Sequence, residues 1–114
     1  MDDRNSGLRL CRLDEIPDGE ARGFIVADAG GRRSIFVFRD GERVFGYVNA
    51  CPHIGSPLDW VEDQFMAPDG NLFQCATHGA LFRTHDGYCV AGPCAGASLA
   101  TAAVELRDSE VICR

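Results

Sequence analysis

Lysine is absent from this 114-residue chain, and all eleven basic residues are arginine. Nothing in the residue pattern gives that a functional reason. Also missing is any apolar run of the ~20 residues that a membrane-spanning helix needs. The opening Met1-Asp-Asp-Arg-Asn-Ser-Gly7 lacks the apolar stretch of a secretory signal. These absences predict a cytoplasmic protein whose six cysteines start out reduced. They weaken the disulfide scaffold that six cysteines in a short chain would otherwise suggest. No Gly-x-Gly-x-x-Gly precedes a helical pattern, so the chain has no dinucleotide fingerprint and does not itself oxidise a nicotinamide. Repeats, linkers and low-complexity tracts are missing too. A net charge of −6 argues against nucleic acid or an anionic membrane as the main partner.

What is present suits one small folded domain, residues 1–114, with 46% apolar and 25% charged residues. Short runs rich in β-branched and aromatic residues read as strands. They are Leu8–Leu13, Gly23–Ala27, Ser34–Phe38, Val44–Val48, Leu72–Cys75, Leu81–Arg83, Tyr88–Val90, Ala102–Leu106 and Val111–Cys113. Turn signals separate several of them: Asp28-Ala-Gly-Gly31, Asp40-Gly41, Asp69-Gly70 and Asp86-Gly87. Pro57–Asp63 is the only helix-like piece. The expected fold is all-β, a small antiparallel sandwich or barrel.

Two short motifs carry the chemistry: Cys51-Pro-His53 and Cys75-Ala-Thr-His78. Each places a thiolate and an imidazole in one tight loop at a strand end, and 21 residues (54–74) separate them. A metal centre with two sulfur and two nitrogen ligands, one of each from either loop, would be encoded in this way. Tetrahedral zinc also accepts that donor set, although common zinc modules pair Cys with Cys and His with His. A Cys–His hydrolase fits less well, because no third orienting group or nucleophile elbow accompanies Cys75 and His78.

The segments Cys51-Pro-His53-Ile-Gly55 and Cys75-Ala-Thr-His78-Gly79 resemble the two cluster-binding loops of Rieske [2Fe–2S] proteins. Gly92-Pro93 resembles the proline loop that covers the cluster there. The likeness runs from about residue 49 to 95, with a spacer somewhat longer than usual, its surplus lying in a turn around Asp59–Asn71. It implies a Rieske fold with the cluster-binding loops at one end and one [2Fe–2S] cluster per chain. Cys51 and Cys75 would bind the buried iron, and His53 and His78 the outer one. Gly55 and Gly79 would let backbone N–H groups approach the sulfurs. Phe82, Gly92 and Pro93 would lie next to the ligands. Two ferric ions, two sulfides and two thiolates sum to zero charge, so reduction adds one negative charge that hydrogen-bond donors stabilise.

High-potential members of that family carry an inter-loop disulfide and two hydroxyl donors to the cluster sulfurs. The matching positions here are Ser56 and Thr77, and Ala80 and Phe82. Lacking all three stabilisers, the chain is expected below zero, in the lower part of the roughly −150 to +300 mV span of Rieske centres. Arginine is absent from Val44 to Phe82, a stretch holding Asp59, Glu62, Asp63 and Asp69. Those carboxylates form either a docking face for basic partners or an ordinary solvated loop.

The resemblance implies a soluble, monomeric electron carrier rather than an enzyme. Its protein partners would be a flavin reductase and an oxygenase-like acceptor. A small subunit of a nitrite-reductase-like complex and a redox or iron sensor are the alternatives. Cys11 and Cys113 read as buried small hydrophobes, and Cys89 and Cys94 as packing beside the cluster. His85 reads as an exposed turn residue and Trp60 as a plug for the spacer.

Overall fold

The computed structural model describes residues 8–28, 31–52, 55, 57–59, 63–68, 70–76 and 79–114. Among them are ten strands: β1 (Leu8–Arg12), β2 (Ala21–Asp28), β3 (Gly31–Asp40), β4 (Arg43–Val48), β5 (Leu72–Gln74), β6 (Leu81–Arg83), β7 (Cys89–Ala91), β8 (Thr101–Ala102), β9 (Val104–Arg107) and β10 (Glu110–Cys113). They form three antiparallel sheets, ordered β1-β10-β9, β2-β3-β4-β8 and β5-β6-β7. The all-β expectation holds. Among the described residues the only helical turn is the short 3₁₀ piece Leu13–Glu15, which the sequence reading did not anticipate.

β3 organises the molecule because its apolar run is continuous. Ile35, Phe36, Val37 and Phe38 are all buried, and a strand sends successive side chains to opposite faces. Val37 joins Cys11, Leu13, Ile16 and Val111 in a core beneath the terminal strands. Phe36 and Phe38 turn the other way, toward the site. Phe36 stacks on Phe65 at 4.4 Å and meets Phe73 edge-on at 4.9 Å, while Phe38 meets Phe73 edge-on at 5.5 Å. Both geometries suit the aromatic quadrupole. This aromatic joint fixes the small β5-β6-β7 sheet against the four-stranded one.

Three expectations need correction. The segment Ala102–Leu106 is not one strand: β8 pairs with β4, whereas β9 pairs with β10 in another sheet. The chain changes sheets at Ala103, whose carbonyl accepts the Arg114 N–H at 2.8 Å. β4 passes this crossing at Gly46, where an added Cβ would lie 2.6 Å from the Ala102 carbonyl oxygen and 2.8 Å from Val104 Cγ1.

Pro57–Asp63 is not helical over its described residues, 57–59 and 63. The Leu58 N–H is instead held by a side chain, and Asp63 has φ +67°, outside the helical range. Trp60 lies outside the described residues, as do Val61 and Glu62.

The surplus spacer is more than a long turn. Phe65–Ala67 runs antiparallel beside β5, with Gln74 N–H donating to Phe65 O at 2.8 Å and Ala67 N–H to Leu72 O at 2.7 Å. Phe65 is fully buried by its stacking on Phe36. Much of the extra length therefore adds an arm to the small sheet.

Candidate metal centre

Cys51 follows β4 and Cys75 follows β5, so both sit where a strand gives way to a loop. Both thiols are buried, at 1% and 0% exposure, in one continuous core cluster with Leu58, Ala80, Phe82, Cys89 and Cys94. The two loops close alike. Gly55 N–H donates to Cys51 O at 2.7 Å, and Gly79 N–H donates to Cys75 O at 2.8 Å. Each glycine adopts positive φ, +77° and +74°, which a side chain would resist. These N–H groups hold the cysteine carbonyls and so shape each reversal.

His53 and His78 lie outside the described residues, as do Ser56 and Thr77. Among the described residues no three His, Cys, Asp or Glu side chains converge as a metal site. The two expected sulfur ligands nevertheless fit a sulfur-rich centre: two buried thiols, each followed by the same Cys–Gly hydrogen bond, within one apolar surround.

A hydrogen-bonded line ties the loops together. Asn49, nearly buried at the end of β4, accepts the Leu58 N–H on its side-chain oxygen at 2.8 Å. The Leu58 carbonyl in turn accepts the Ala76 N–H at 2.9 Å. Asn49 Nδ2 donates to Asp59 Oδ1 at 3.0 Å and to Ser34 Oγ at 3.3 Å. Sequence reading marked Asn49 only as the start of the site, because these partners lie 9 to 15 residues away.

Two of the acidic spacer residues are engaged in structure. Asp59 holds Asn49 and accepts the Asp63 N–H, and Asp63 Oδ1 accepts the Gly23 N–H of β2 at 2.7 Å. They staple the spacer to the four-stranded sheet. Glu62 and Asp69 lie outside the described residues.

The Gly92-Pro93 loop seats on the second cysteine loop. At Gly92, φ +103°, an added Cβ would fall 2.7 Å from Ala80 Cα. Pro93 is exposed at the tip. Ala80 and Phe82 are fully buried and bring no hydroxyl to this region. Behind the loop, the Cys94 thiol approaches Cys89 Sγ at 3.2 Å, and the Cys89 thiol donates to Ala91 O at 3.2 Å. Burial, followed by the Cys89 and Cys51 side chains, pushes the Cys94 thiol up to about 12, so it stays protonated. No disulfide joins any of the six cysteines, and all are buried, including Cys11 and Cys113 in the terminal strands. His85 is exposed as expected, but it is paired with Asp40 at 2.9 Å and lies beside the Phe45 ring.

Several solved structures share this architecture. The ferredoxin of carbazole 1,9a-dioxygenase from Nocardioides aromaticivorans IC177 is 24% identical, with TM-score 0.72 over 94% of this chain and 95% of that one. A ferredoxin of Sphingomonas yanoikuyae B1 is 27% identical, with TM-score 0.68 over 94% and 96%. A complex of reduced oxygenase and oxidized ferredoxin in carbazole 1,9a-dioxygenase matches at 24% identity and TM-score 0.71, over 94% and 91%. No curated protein matches the chain significantly. The family model of the Rieske [2Fe-2S] domain matches residues 7–107. That span takes in both cysteine loops and the loop seated on them, and the chain belongs to the Rieske [2Fe-2S] domain family.

Proposed function

We propose that this chain is a one-electron carrier holding one [2Fe–2S] cluster, with Cys51 and Cys75 on the buried iron and His53 and His78 on the outer iron. The observation that carries the reading is the pair of buried thiols in loops closed by the same Cys–Gly hydrogen bond. When bound, the cluster supplies reversible one-electron chemistry at a fixed potential. The protein's part is to hold the ligands and exclude water from the sulfurs. Leu58, Ala80 and Phe82, all fully buried, surround the cysteine side with apolar groups. Asn49 and Leu58 keep the two loops in fixed relation, so little rearrangement accompanies a change of charge.

The chain accepts electrons from a flavin reductase and passes them to an oxygenase-like acceptor, working as a monomer in the cytoplasm. The similar ferredoxins of dioxygenase systems support this reading of the partners. Its midpoint potential lies below zero, because Ala80 and Phe82 bring no hydroxyl to the buried side.

Protein purified without air tests the centre: two iron and two acid-labile sulfide per chain are expected, with a reduced-state EPR signal. One equivalent of zinc without sulfide would refute it. Voltammetry near neutral pH tests the potential, and a midpoint well above zero would refute that part alone.

A further inference from the structure

Cys89 and Cys94 take no part in the loops that hold the expected ligands, yet their sulfurs are hydrogen-bonded to each other at 3.2 Å. The backbone sets that meeting. β7 carries Cys89, paired with Phe82 of β6, and two bonds lay the following loop back on it: Cys89 N–H to Ala97 O at 2.8 Å and Gly96 N–H to Cys89 O at 3.0 Å. Ala97 N–H to Cys94 O at 2.9 Å folds Cys94 inward. On the other side of the loop, Gly92 rests against Ala80. The two sulfurs are thus held face to face by bonds that involve neither side chain.

Bonded sulfurs lie about 2.05 Å apart, so closing this pair draws them together by little more than ~1 Å. Access to the two is unequal. Cys89 is fully enclosed, whereas Cys94 keeps 8% exposure in a loop, 91–98, whose other residues are all exposed. Apart from Pro93 those neighbours are alanine, glycine and serine. The loop can therefore open to a small oxidant without displacing a bulky side chain, and Cys94 is the sulfur that oxidant meets first.

We propose that Cys89 and Cys94 are a site of reversible oxidation, closed to a disulfide by hydrogen peroxide in the folded protein. One peroxide oxygen transfers to the Cys94 sulfur: the O–O bond breaks, a sulfenic acid forms and the first water leaves. The Cys89 sulfur then displaces the hydroxyl group of that acid, the S–S bond forms and the second water leaves. The two thiols lose two electrons and two protons, and one peroxide becomes two waters. A thiolate is the attacking form, so burial makes the first step slow. The second is fast, because Cys89 already touches Cys94. Closure ties β7 covalently to the loop seated on the second cysteine loop. None of these steps needs bound iron, so the site stands apart from the electron-carrier reading.

The arginines isolate the pair for a test. Cleavage after Arg83 and Arg107 releases Thr84–Arg107, which holds Cys89 and Cys94 and no other cysteine, while Cys51 and Cys75 fall together in Val44–Arg83. The full chain, purified without air, is treated with hydrogen peroxide, unfolded in excess iodoacetamide and mapped by mass spectrometry. Thr84–Arg107 should lose both labels together, become lighter by two hydrogens, and regain both labels after dithiothreitol. In Cys94→Ser the Cys89 label should persist at the same dose. Both labels retained by wild type at every dose its circular dichroism survives would overturn the proposal. So would sulfinic or sulfonic acid in place of the bridge, a bridge from Thr84–Arg107 to Val44–Arg83, or loss of the Cys89 label in Cys94→Ser. Should that variant not fold, the wild-type map decides alone. Iron and sulfide measured on the same sample test the cluster reading separately, and their absence leaves the label count equally decisive.

Discussion

Asn49 accepts the Leu58 N–H on its side-chain oxygen at 2.8 Å, across the whole of the first cysteine loop. The same Leu58 accepts from Ala76 in the second loop, so one buried amide stands at the root of both. Asn49→Ala removes that acceptor and leaves a buried N–H unpaired, a cost of roughly 1–3 kcal/mol. Urea unfolding should show the loss in midpoint, and cluster retention on dilution should fall with it. Asn49→Asp keeps the acceptor and should behave more mildly at the Leu58 contact.

Gly92 and Ala80 meet too closely for any side chain. Gly92→Ala places a methyl 2.7 Å from Ala80 Cα and forces alanine to φ +103°. Overpacking alone typically costs about 1–3 kcal/mol. The proline loop should lift, exposing the cysteine side to water. Faster cluster loss under a ferrous chelator is the expected readout, and unchanged kinetics would show that the loop does not shield the site.

If Cys51 and Cys75 are the sulfur ligands, either one changed to serine should abolish the normal cluster while leaving the fold. The aromatic joint of Phe36, Phe65 and Phe73 shares the core cluster with both sulfurs but is held by ring contacts of its own. Far-ultraviolet circular dichroism should therefore survive while iron and sulfide fall. Cys11→Ser, in the core beneath the terminal strands, should instead lower the unfolding midpoint while the folded protein keeps its iron and sulfide.

Alkaline pH should weaken the protein through Tyr47. Burial pushes its hydroxyl up to about 12, above the ~10 of an exposed tyrosine. Between those values the unfolded chain releases the proton while the folded one keeps it, so stability falls as pH rises through that window. Below it both states hold the proton and the full contribution remains. Tyr47→Phe loses the 2.7 Å bond to Thr84 O and should be less stable at neutral pH by roughly 1–3 kcal/mol. Its stability should nonetheless decline less over the alkaline window, as denaturation series at several pH values would show.

The two Cys–His pairs and most strands were legible because the information is local. Spacing names the candidate ligands, and period and turn residues such as Gly41 and Gly87 mark the hairpins. Roles that depend on distant partners were not. Asp63 looks like part of an acidic surface until its bond to Gly23, 40 residues away, is seen. Phe65 looks like a loop residue until it stacks on Phe36. The change of sheet at Ala103 carries no glycine or proline; the room for it is left by Gly46 on another strand, where the backbone crosses close above. Cys94 was visible as a cysteine beside a Gly-Pro, but the direction of its proton depends on Cys89 and Ala91.

The arm formed by Phe65–Ala67 separates the length of the inter-loop connection from the geometry at its ends. Its turn is pinned by Gly70 N–H to Ala67 O at 2.8 Å, with Pro68, Gly70 and Asn71 exposed. Lengthening a flexible loop is mild, about 0.6 kcal/mol for each doubling. A reporter peptide or an affinity handle grafted between Pro68 and Asn71 would therefore leave both cysteine loops in place. The tip of the arm is a permissive port through which this small domain can be immobilised or fused without touching its sulfurs.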